Sequence, residues 1–322
     1  MLYLNEEDIY EIGVNWDTTI EVIEKAVFCL RDNDFAQPLK PYLRYRDLKN
    51  RIIAMPAYVG GGVNSAGLKW IASFPDNLSK NLPRAHSVVI LNEPDTGQPV
   101  GIINTGLLSI VRTASVSGLM LRYFDKTRPL EDFNLGIVGF GPIGQFHLQM
   151  CWDLFGDKIG KVFLYDLQPI PPGKLDFLPR TKVSVVDSWE KAYQNADVFI
   201  TCTVSKYRYV DQKPKKGALL LNVSLRDYKV DIYEFVKDTI VVDDWDEVCR
   251  ENTDVEMMFK EAGLKKEHTR SLIDVVCGHC LEKMPSGAPI MFNPMGMGVF
   301  DIATGKYYLD QAITKKVGQS LK

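Results

Sequence analysis

A glycine-rich string in the middle of the chain has the residue types and spacing of a phosphate-binding turn. Gly139, Gly141 and Gly144 form a G-x-G-x-x-G pattern, with Pro142 and Ile143 between the last two glycines. An apolar run precedes the pattern and an apolar stripe at helical spacing follows it, which is the strand–turn–helix context that the motif requires. Such glycines permit a tight turn and a close approach of the backbone to a pyrophosphate, which the helix N-terminus attracts. The motif therefore predicts a dinucleotide site.

Asp166 supplies the acidic residue that such a site needs. It ends the next predicted strand, 22 residues beyond Gly144, where a carboxylate accepts hydrogen bonds from the adenosine ribose. No Lys or Arg follows it directly, so a 2′-phosphate would meet an anion, and the sequence predicts NAD as the cofactor rather than NADP. The alternative is a glycine turn in a Rossmann-like sheet that binds no dinucleotide.

Residues after the later strands and in the last loop complete the predicted cofactor site. These are Thr203, Val204, Asn222, Val223, Ser224, Asn293 and Met295.

Basic residues in the N-terminal half form the second candidate site. They are Lys40, Arg44, Lys69, Arg84 and Arg112. Lys69 and Arg112 stand within apolar sequence, where a cation must find an anion or lose much hydration energy. In an NAD enzyme the natural anions are substrate carboxylates, which Arg binds with two parallel hydrogen bonds. The alternative for each residue is an internal salt bridge.

Asp227 is the candidate acid/base. It follows the apolar run that ends at Asn222, so it should lie at the carboxyl end of a parallel sheet, where open α/β sheets bind ligands. The alternative is an Asp that only caps the turn into residues 231–235. His147 falls on an apolar helical stripe and is expected to be a packed core residue.

The six cysteines suit a reducing compartment. Cys277 and Cys280 have the spacing of a thiol–disulfide exchange pair, but a Pro-Ser-Gly loop follows them where such a pair needs a helix. A zinc site would require a second pair of ligands at usable spacing, and the sequence offers none.

The elements that position these residues fall into two patterns. Between residues 135 and 244, short apolar runs alternate with helical segments, which predicts a doubly wound parallel sheet of the Rossmann type. The predicted strands are 135–139, 161–166, 182–186, 197–203, 218–223 and 239–243. Four prolines in residues 167–181 exclude a crossover helix there.

The N-terminal half is predicted to be α+β. Its helices are 17–31, capped by Asp17, and 107–124, and its strands are 51–55, 67–72, 87–92 and 99–104. A last helix over 299–312 is expected to fold back onto this half. The domain prediction is a substrate-binding and dimerisation domain of residues 1–125 and 294–322, with an NAD-binding domain of residues 126–293.

Composition sets the class of protein. The 322 residues suffice for about two domains. The formal net charge is 38 − 41 = −3, so the basic footprint of a nucleic-acid binder is missing. No stretch of 18 apolar residues offers a membrane span, and the acidic start Asn5–Asp8 differs from a secretory leader. These features favour a cytoplasmic enzyme with no membrane and no metal requirement.

Several motifs resemble the ornithine cyclodeaminase/mu-crystallin family over nearly the whole chain. They are Ala54-Met55-Pro56, Gly67-Leu68-Lys69-Trp70, Arg112-Thr113-Ala114, the glycine motif, and Asn222-Val223-Ser224-Leu225-Arg226-Asp227. Residues 33–35, 37–44, 241–245 and 293–297 are most similar to the branch of the family that forms L-2,3-diaminopropionate.

The resemblance implies roles for individual residues. By motif position Lys69 and Arg112 match the family's substrate-carboxylate ligands, Asp227 matches its acid/base, and Ser87 stands where the family places a hydroxyl near the cofactor. Arg112 is also expected to approach the cofactor, and Lys69 is the second candidate for the acid/base role. Cyclodeaminases carry a Glu where this chain has Ile53, which argues against ornithine as the substrate.

The resemblance also implies an activity and partners. The expected reaction is NAD-dependent oxidative hydrolysis of N-(2-amino-2-carboxyethyl)-L-glutamate to 2-oxoglutarate and L-2,3-diaminopropionate for a siderophore or peptide antibiotic. A homodimer and a PLP-dependent, cysteine-synthase-like enzyme that makes the adduct are implied as partners. The alternatives are an ornithine cyclodeaminase, an alanine dehydrogenase or a ketimine reductase of the same fold, or a mu-crystallin-like protein that binds NAD(H) without turnover.

Overall fold

The structure is a computed structural model that describes residues 1–322. Its strands are β1 (Leu2–Leu4), β2 (Phe35–Ala36), β3 (Tyr42–Leu43), β4 (Arg51–Val59), β5 (Ser65–Ser73), β6 (Ala85–Asn92), β7 (Pro99–Asn104), β8 (Phe133–Val138), β9 (Ile159–Tyr165), β10 (Val183–Val185), β11 (Val198–Thr201), β12 (Leu219–Asn222), β13 (Ile240–Val242), β14 (Arg270–Ser271), β15 (Ile290–Asn293) and β16 (Gln319–Ser320). Its α-helices are α1 (Glu6–Ile12), α2 (Trp16–Arg31), α3 (Leu107–Thr127), α4 (Pro142–Phe155), α5 (Trp189–Tyr193), α6 (Tyr233–Val236), α7 (Trp245–Val248), α8 (Asp254–Glu261), α9 (Leu272–Val276) and α10 (Gly298–Lys315).

The chain divides into two compact units. Unit 1 comprises Met1–Ser115 and Gly296–Lys322, and unit 2 comprises Val116–Met295. The first boundary was expected at 125/126, after the helix predicted over 107–124, whereas the observed division lies ten residues earlier, between Ser115 and Val116. The second observed boundary lies two residues beyond the expected 293/294. No helix of the chain is both long enough and apolar enough to cross a lipid bilayer.

Unit 2 contains the parallel sheet that the sequence predicted. The strand order is β10-β9-β8-β11-β12-β15-β13-β14, and every pairing is parallel. The chain enters at β8, builds outward to β10 and then returns to β11 on the other side of β8. The strand order therefore reverses between β8 and β11, the position at which sheets of this kind bind ligands.

Two strands of this sheet, β14 and β15, were not predicted. β15 inserts between β12 and β13, although its apolar run is bounded by Pro289 and Pro294 and looks like part of a loop. Only pairing with strands about 50 to 70 residues away in the chain identifies it. The proline-rich segment 167–181 holds the short 3-10 turn Pro172–Leu175, the start of a second one (Arg180–Lys182) and no α-helix, which confirms the prediction of an irregular connection there.

Unit 1 contains a mixed sheet with the order β16-β1-β7-β6-β5-β4-β2, and β3 also pairs with β4. Helix α10 packs against β4, β5, β6 and α2, so the expected return of the last helix to the N-terminal half is confirmed. Met55, Ala57 and Val59 are buried; they alternate along β4, as one face of a half-buried strand does.

Two local predictions in unit 1 were wrong. The side chain of Asn15, and not that of Asp17, caps α2 by accepting a hydrogen bond from the Thr18 backbone N–H. The strand predicted over 51–55 continues through Pro56 as β4. Proline has no N–H to donate, but neither β2 nor β3 pairs with β4 at Pro56, so no hydrogen bond on that edge is lost. The final strand β16 pairs with β1 and was not expected.

Candidate active site

The glycine loop joins β8 to α4 with almost no free space at two of its three glycines. Gly139 has φ +89°, and a Cβ there would lie 2.6 Å from the backbone carbon of Cys202 at the end of the neighbouring strand. A Cβ at Gly144 would lie 2.1 Å from the Gly139 carbonyl oxygen. At Gly141, by contrast, a Cβ would meet nothing within 4 Å. Open space therefore faces the loop just before the N-terminus of α4, which fits a pyrophosphate.

Asp166 stands directly beside this loop. It follows β9, and its carboxylate accepts a hydrogen bond from the Phe140 backbone N–H at 2.5 Å and one from the Gln168 N–H at 2.8 Å. The carboxylate is thus fixed at the carboxyl end of the sheet, next to the turn, which is where an adenosine ribose would need an acceptor.

The other predicted cofactor residues of unit 2 also lie at the carboxyl ends of strands. Thr203 and Val204 follow β11, Val223 and Ser224 follow β12, and Met295 follows β15. Two of the predicted ligands are committed internally, since Asn222 and Asn293 are fully buried. Asn222 Nδ2 donates to Asn293 Oδ1 at 2.8 Å and to an Asp254 oxygen at 3.0 Å. Their side chains therefore hold the strand ends together.

Asp227 is held by hydroxyl groups. Its carboxylate accepts hydrogen bonds from Thr203 Oγ1 at 2.5 Å and from Ser224 Oγ. The residue is fully buried, and burial raises the pKa of the Asp227 carboxyl, while the hydroxyls of Ser224 and Thr203 oppose that rise. A carboxyl with a raised pKa is better matched to proton exchange near neutral pH.

The alternative role for Asp227, as a cap on the following turn, does not fit the structure. The 3-10 turn Val230–Ile232 begins after Lys229, and no side chain caps it.

In unit 1 two of the predicted cations converge on one buried acid. Lys69 Nζ donates to Asp301 Oδ1 at 3.0 Å, and Arg112 Nε donates to the same oxygen at 2.8 Å. Lys40 Nζ donates to the Gly296 carbonyl oxygen at 2.7 Å. All three cations and Asp301 are buried. The internal salt bridge, which was the alternative for Lys69 and Arg112, is therefore present in the structure.

The charges of this cluster affect one another. Burial lowers the pKa of Lys69 to about 8, with the charges of Arg112 and Lys40 acting in the same direction and Asp301 opposing them. Burial alone would raise the pKa of Asp301, but the positive charges of Arg112 and Lys69 outweigh it and the pKa is lowered. Asp301 is thus an anion, and Lys69 is a cation near neutral pH that loses its proton readily.

The salt bridge leaves one side of the Arg112 guanidinium available. Nε is the only nitrogen of this group that donates a hydrogen bond within the chain. The two terminal nitrogens lie against Gly296, where a Cβ would be 2.6 Å from Nη1. Gly296 also has φ +84°. Two parallel N–H groups of this kind match the two oxygens of a carboxylate.

The remaining predicted residues of unit 1 have the following positions. The Arg44 guanidinium lies 5.1 Å from the centre of the Tyr42 ring. Arg84 is half-buried and directly precedes β6. Ser87 is buried on β6. It pairs with Ile71, two residues along β5 from Lys69, so Ser87 and Lys69 belong to the same face of the sheet.

His147 and the cysteine pair have structural positions. His147 is fully buried, with Nε2 2.9 Å from Ser117 Oγ, and burial lowers its pKa to about 4; this confirms the packed histidine. Cys277 caps the end of α9 instead of beginning a helix. Burial raises the pKa of Cys280 to about 11, so its thiol is unreactive near neutral pH.

Two acidic residues of these sites were missed by the sequence analysis. Asp301 interrupts the apolar run Val299-Phe300-Asp301-Ile302-Ala303. A charged residue within apolar sequence is the same signal that marked Lys69 as a candidate. Asp254 begins α8 after the capping residue Thr253, and nothing in its local sequence separates it from an ordinary first-turn acid.

Comparison with known proteins agrees with the fold. The model of the ornithine cyclodeaminase/mu-crystallin family matches residues 4–316. The chain belongs to that family.

Individual relatives align over the whole chain. It is 35% identical to N-((2S)-2-amino-2-carboxyethyl)-L-glutamate dehydrogenase of Staphylococcus aureus, covering 100% of this chain and 98% of that one. Among solved structures, Thermococcus litoralis Δ1-pyrroline-2-carboxylate reductase in complex with NADH and L-proline has a TM-score of 0.86 at 22% identity, with both chains fully covered. An archaeal alanine dehydrogenase dimer with bound NAD has a TM-score of 0.85 at 24% identity, covering 100% of this chain and 99% of that one.

Proposed function

We propose that the protein oxidises N-(2-amino-2-carboxyethyl)-L-glutamate with NAD⁺ and water, giving 2-oxoglutarate, L-2,3-diaminopropionate, NADH and a proton. The observation that carries the proposal is the buried cation cluster of Lys40, Lys69 and Arg112. Asp301, the acid that Lys69 and Arg112 share, engages only the Nε side of Arg112 and leaves its two terminal nitrogens available. A substrate with three carboxylates suits such a cluster, since Arg and Lys bind carboxylates with charge-assisted hydrogen bonds.

The glycine loop and Asp166 would hold the cofactor. The open space at Gly141 fits a pyrophosphate, and the carboxylate of Asp166 fits the ribose hydroxyls. NADH and NAD are present in two solved structures of this fold, which supports the same cofactor here. When bound, NAD⁺ accepts a hydride from the α-carbon of the glutamyl half of the substrate.

Asp227 would move the protons of the reaction. It takes the proton of the secondary amine as the substrate is oxidised to an imine, and it later gives a proton to the leaving amine after water has added. Burial raises the pKa of the Asp227 carboxyl, which favours both the uptake and the release of a proton. Thr203 and Ser224 keep the carboxyl in one orientation through their hydrogen bonds.

Ile53 favours this substrate over ornithine. An ornithine side chain ends in an ammonium group, which needs an acidic partner, and Ile53 on β4 offers an apolar side chain instead. The 35% identity to the Staphylococcus aureus dehydrogenase points to the same substrate.

A homodimer is part of the proposal. In unit 1, α10 covers one face of the sheet, and the other face presents Ile52, Leu68, Trp70 and Ile90. Trp70 is 40% exposed. An apolar sheet face left open in this way favours burial against a second copy. The archaeal alanine dehydrogenase of the same fold is a dimer.

The chemistry also suggests a setting. The substrate would be made in the cytoplasm by a PLP-dependent, cysteine-synthase-like enzyme, and the diaminopropionate would enter a siderophore or peptide antibiotic.

The test is incubation of the protein with NAD⁺ and the synthetic adduct, with NADH followed at 340 nm and the products identified by mass spectrometry. L-Ornithine and L-alanine serve as control substrates. We expect turnover of the adduct and its loss in Arg112→Ala, while the matched change Lys126→Ala at an exposed position of the same helix retains activity. Faster oxidation of either control substrate would contradict the proposal.

A further inference from the structure

We infer that Asp254 is a positioning residue, which fixes the loop of residues 222–228 and thereby the placement of Asp227. The inference rests on the proposed function, because it takes Asp227 to be the group that exchanges protons.

One oxygen of Asp254 binds the loop at three points. Oδ2 accepts hydrogen bonds from Asn222 Nδ2 at 3.0 Å, from the Asp227 backbone N–H at 3.1 Å and from the Tyr228 backbone N–H at 3.2 Å. The Asp254 side chain is almost completely buried. Removing this oxygen would leave the backbone N–H groups of Asp227 and Tyr228 without a partner, and Asn222 Nδ2 would keep only its bond to Asn293.

The other oxygen is anchored from the far side. Arg208 Nε donates to Asp254 Oδ1 at 2.7 Å, and Arg208 Nη2 donates to the Asn252 carbonyl oxygen at 2.7 Å. The residues that follow Arg208 return to the loop, because the backbone N–H groups of Tyr209 and Val210 both donate to the Asp227 carbonyl oxygen at 2.8 Å. The N–H group and the carbonyl oxygen of Asp227 are therefore both hydrogen-bonded. The ion pair between Asp254 and Arg208 connects the segments that bind them.

Leu225 shows that the loop is held in a conformation that its sequence does not favour. Its φ is +65°, in the left-handed region that branched side chains rarely adopt. Two contacts hold it there: the Leu225 N–H donates to Asn222 Oδ1 at 3.0 Å, and the Leu225 carbonyl accepts from the Asp254 N–H at 2.7 Å. The bend at Leu225 comes two residues before Asp227. It is held by the backbone N–H of Asp254 and by Asn222, and the Asp254 side chain acts on it through its bond to Asn222.

The helix that carries Asp254 does not require its side chain. Thr253 already caps α8, since its hydroxyl accepts a hydrogen bond from the Glu256 backbone N–H. An Asp at this position would ordinarily serve its own helix N-terminus. Here one oxygen of the carboxylate is directed to residues 26 to 32 positions away along the chain. The Asp254 carboxylate therefore stabilises the loop of residues 222–228 and not the N-terminus of its own helix.

The test compares Asp254→Ala and Asp254→Asn with wild type, using NAD⁺ and the adduct. Glu261→Ala is the matched control, because it removes an exposed acid from the same helix. We expect Asp254→Ala to lower kcat by about 10²-fold, the size of effect that a misplacement of about 1 Å produces. KM for the adduct and the affinity for NAD⁺ should change less than twofold, because neither the cation cluster nor the glycine loop is touched. The acidic limb of the kcat–pH profile should also shift, since the bonds that fix Asp227 have changed.

Asp254→Asn keeps the shape of the side chain and so protects the test against a failure to fold. Its amide nitrogen must face either Arg208 or the loop donors, so one set of donors loses its acceptor, and kcat should fall about tenfold with KM unchanged. The inference is overturned if the folded variants keep kcat within twofold of wild type, or if KM rises as much as kcat falls. If wild type itself does not oxidise the adduct, the proposed function fails, and the inference falls with it.

Discussion

Arg112 and Asp301 are 189 residues apart in the chain, and Arg112 Nε donates to Asp301 Oδ1 at 2.8 Å. The contact joins α3 to the last helix of the protein inside unit 1. It turns the guanidinium so that Nε is satisfied by the protein and the terminal nitrogens stay available. The C-terminal helix therefore contributes to the candidate carboxylate site as well as to the core.

Asp301→Asn should destabilise the protein and weaken the binding of the substrate. Removing one partner of a buried charge pair leaves uncompensated charge and costs roughly 3–5 kcal/mol. Lys69 and Arg112 would also lose the acceptor that orients them, so KM for the adduct should rise. Denaturant unfolding and initial-rate kinetics measure the two effects.

The control for that change is Asp310→Asn on the same helix. Asp310 pairs with Lys306 at an exposed i, i+4 position, and such pairs contribute about 0.3–0.5 kcal/mol. Equal losses of unfolding free energy in the two variants would show that the Asp301 cluster has no special energetic role.

Substrate affinity should fall as the pH rises above about 8. The pKa of Lys69 is lowered to about 8, so its ammonium is present below that pH and is lost above it. A neutral amine holds a carboxylate poorly, so KM for the adduct should be flat below pH 8 and rise above it. Lys69→Met should have a higher KM without this rise, and a wild-type KM that stays flat up to pH 9.5 would refute the assignment.

The lowered pKa of Lys69 also affects the stability of the protein without substrate, and this effect increases with pH. The folded pKa of Lys69 lies below its ordinary value of 10.5, so between these two values the unfolded chain binds more protons than the folded one. The contribution of Lys69 to the free energy of unfolding therefore increases as the pH rises from about 8 to 10.5. The difference between wild type and Lys69→Met, measured by urea unfolding across that window, reports it.

Gly296→Ala should raise KM for the adduct, whereas Gly13→Ala, a substitution at the same φ, should not. Gly296 and Gly13 share φ +84°, which L side chains rarely adopt, so an Ala at either position is strained by about 1–3 kcal/mol. Only at Gly296 does the added Cβ approach Arg112; at Gly13 it meets nothing within 4 Å. We expect similar melting temperatures for the two variants and a raised KM for Gly296→Ala alone. A normal KM in that variant would argue against Arg112 as the carboxylate ligand.

Asp166→Ser should reduce the preference for NAD⁺ over NADP⁺. The carboxylate stands beside the glycine loop and would oppose a 2′-phosphate, and juxtaposed like charges cost several kcal/mol. The ratio of kcat/KM for the two cofactors should narrow by about tenfold or more. Equal use of both cofactors by wild type would remove this role from Asp166.

The sequence was most informative where local pattern and chemistry coincide. The glycine motif predicts its own strand, turn and helix, because the same residues set the backbone conformation and bind the phosphate. Lys69 and Arg112 were found because a cation in an apolar run must have an anionic partner. The parallel sheet of unit 2 followed from apolar runs alternating with helices.

What the sequence could not supply depends on contacts between distant residues. Asp301 lies 232 residues from Lys69, and no local pattern states that the two charges meet. Asp254 looks like a first-turn acid of α8, and only the tertiary structure shows that its carboxylate binds the loop before Asp227. β15 has too few residues for a periodicity, and its neighbours in the sheet identify it as a strand.

The most direct test of the account uses an adduct that carries deuterium at the α-carbon of its glutamyl half. If the protein removes a hydride from that carbon, mass spectrometry will find the deuterium in the reduced nicotinamide. 2-Oxoglutarate and L-2,3-diaminopropionate will appear in equal amounts with it. Retention of deuterium in the amino-acid products, or formation of unlabelled NADH, would contradict oxidation at the glutamyl carbon and with it the proposed reaction.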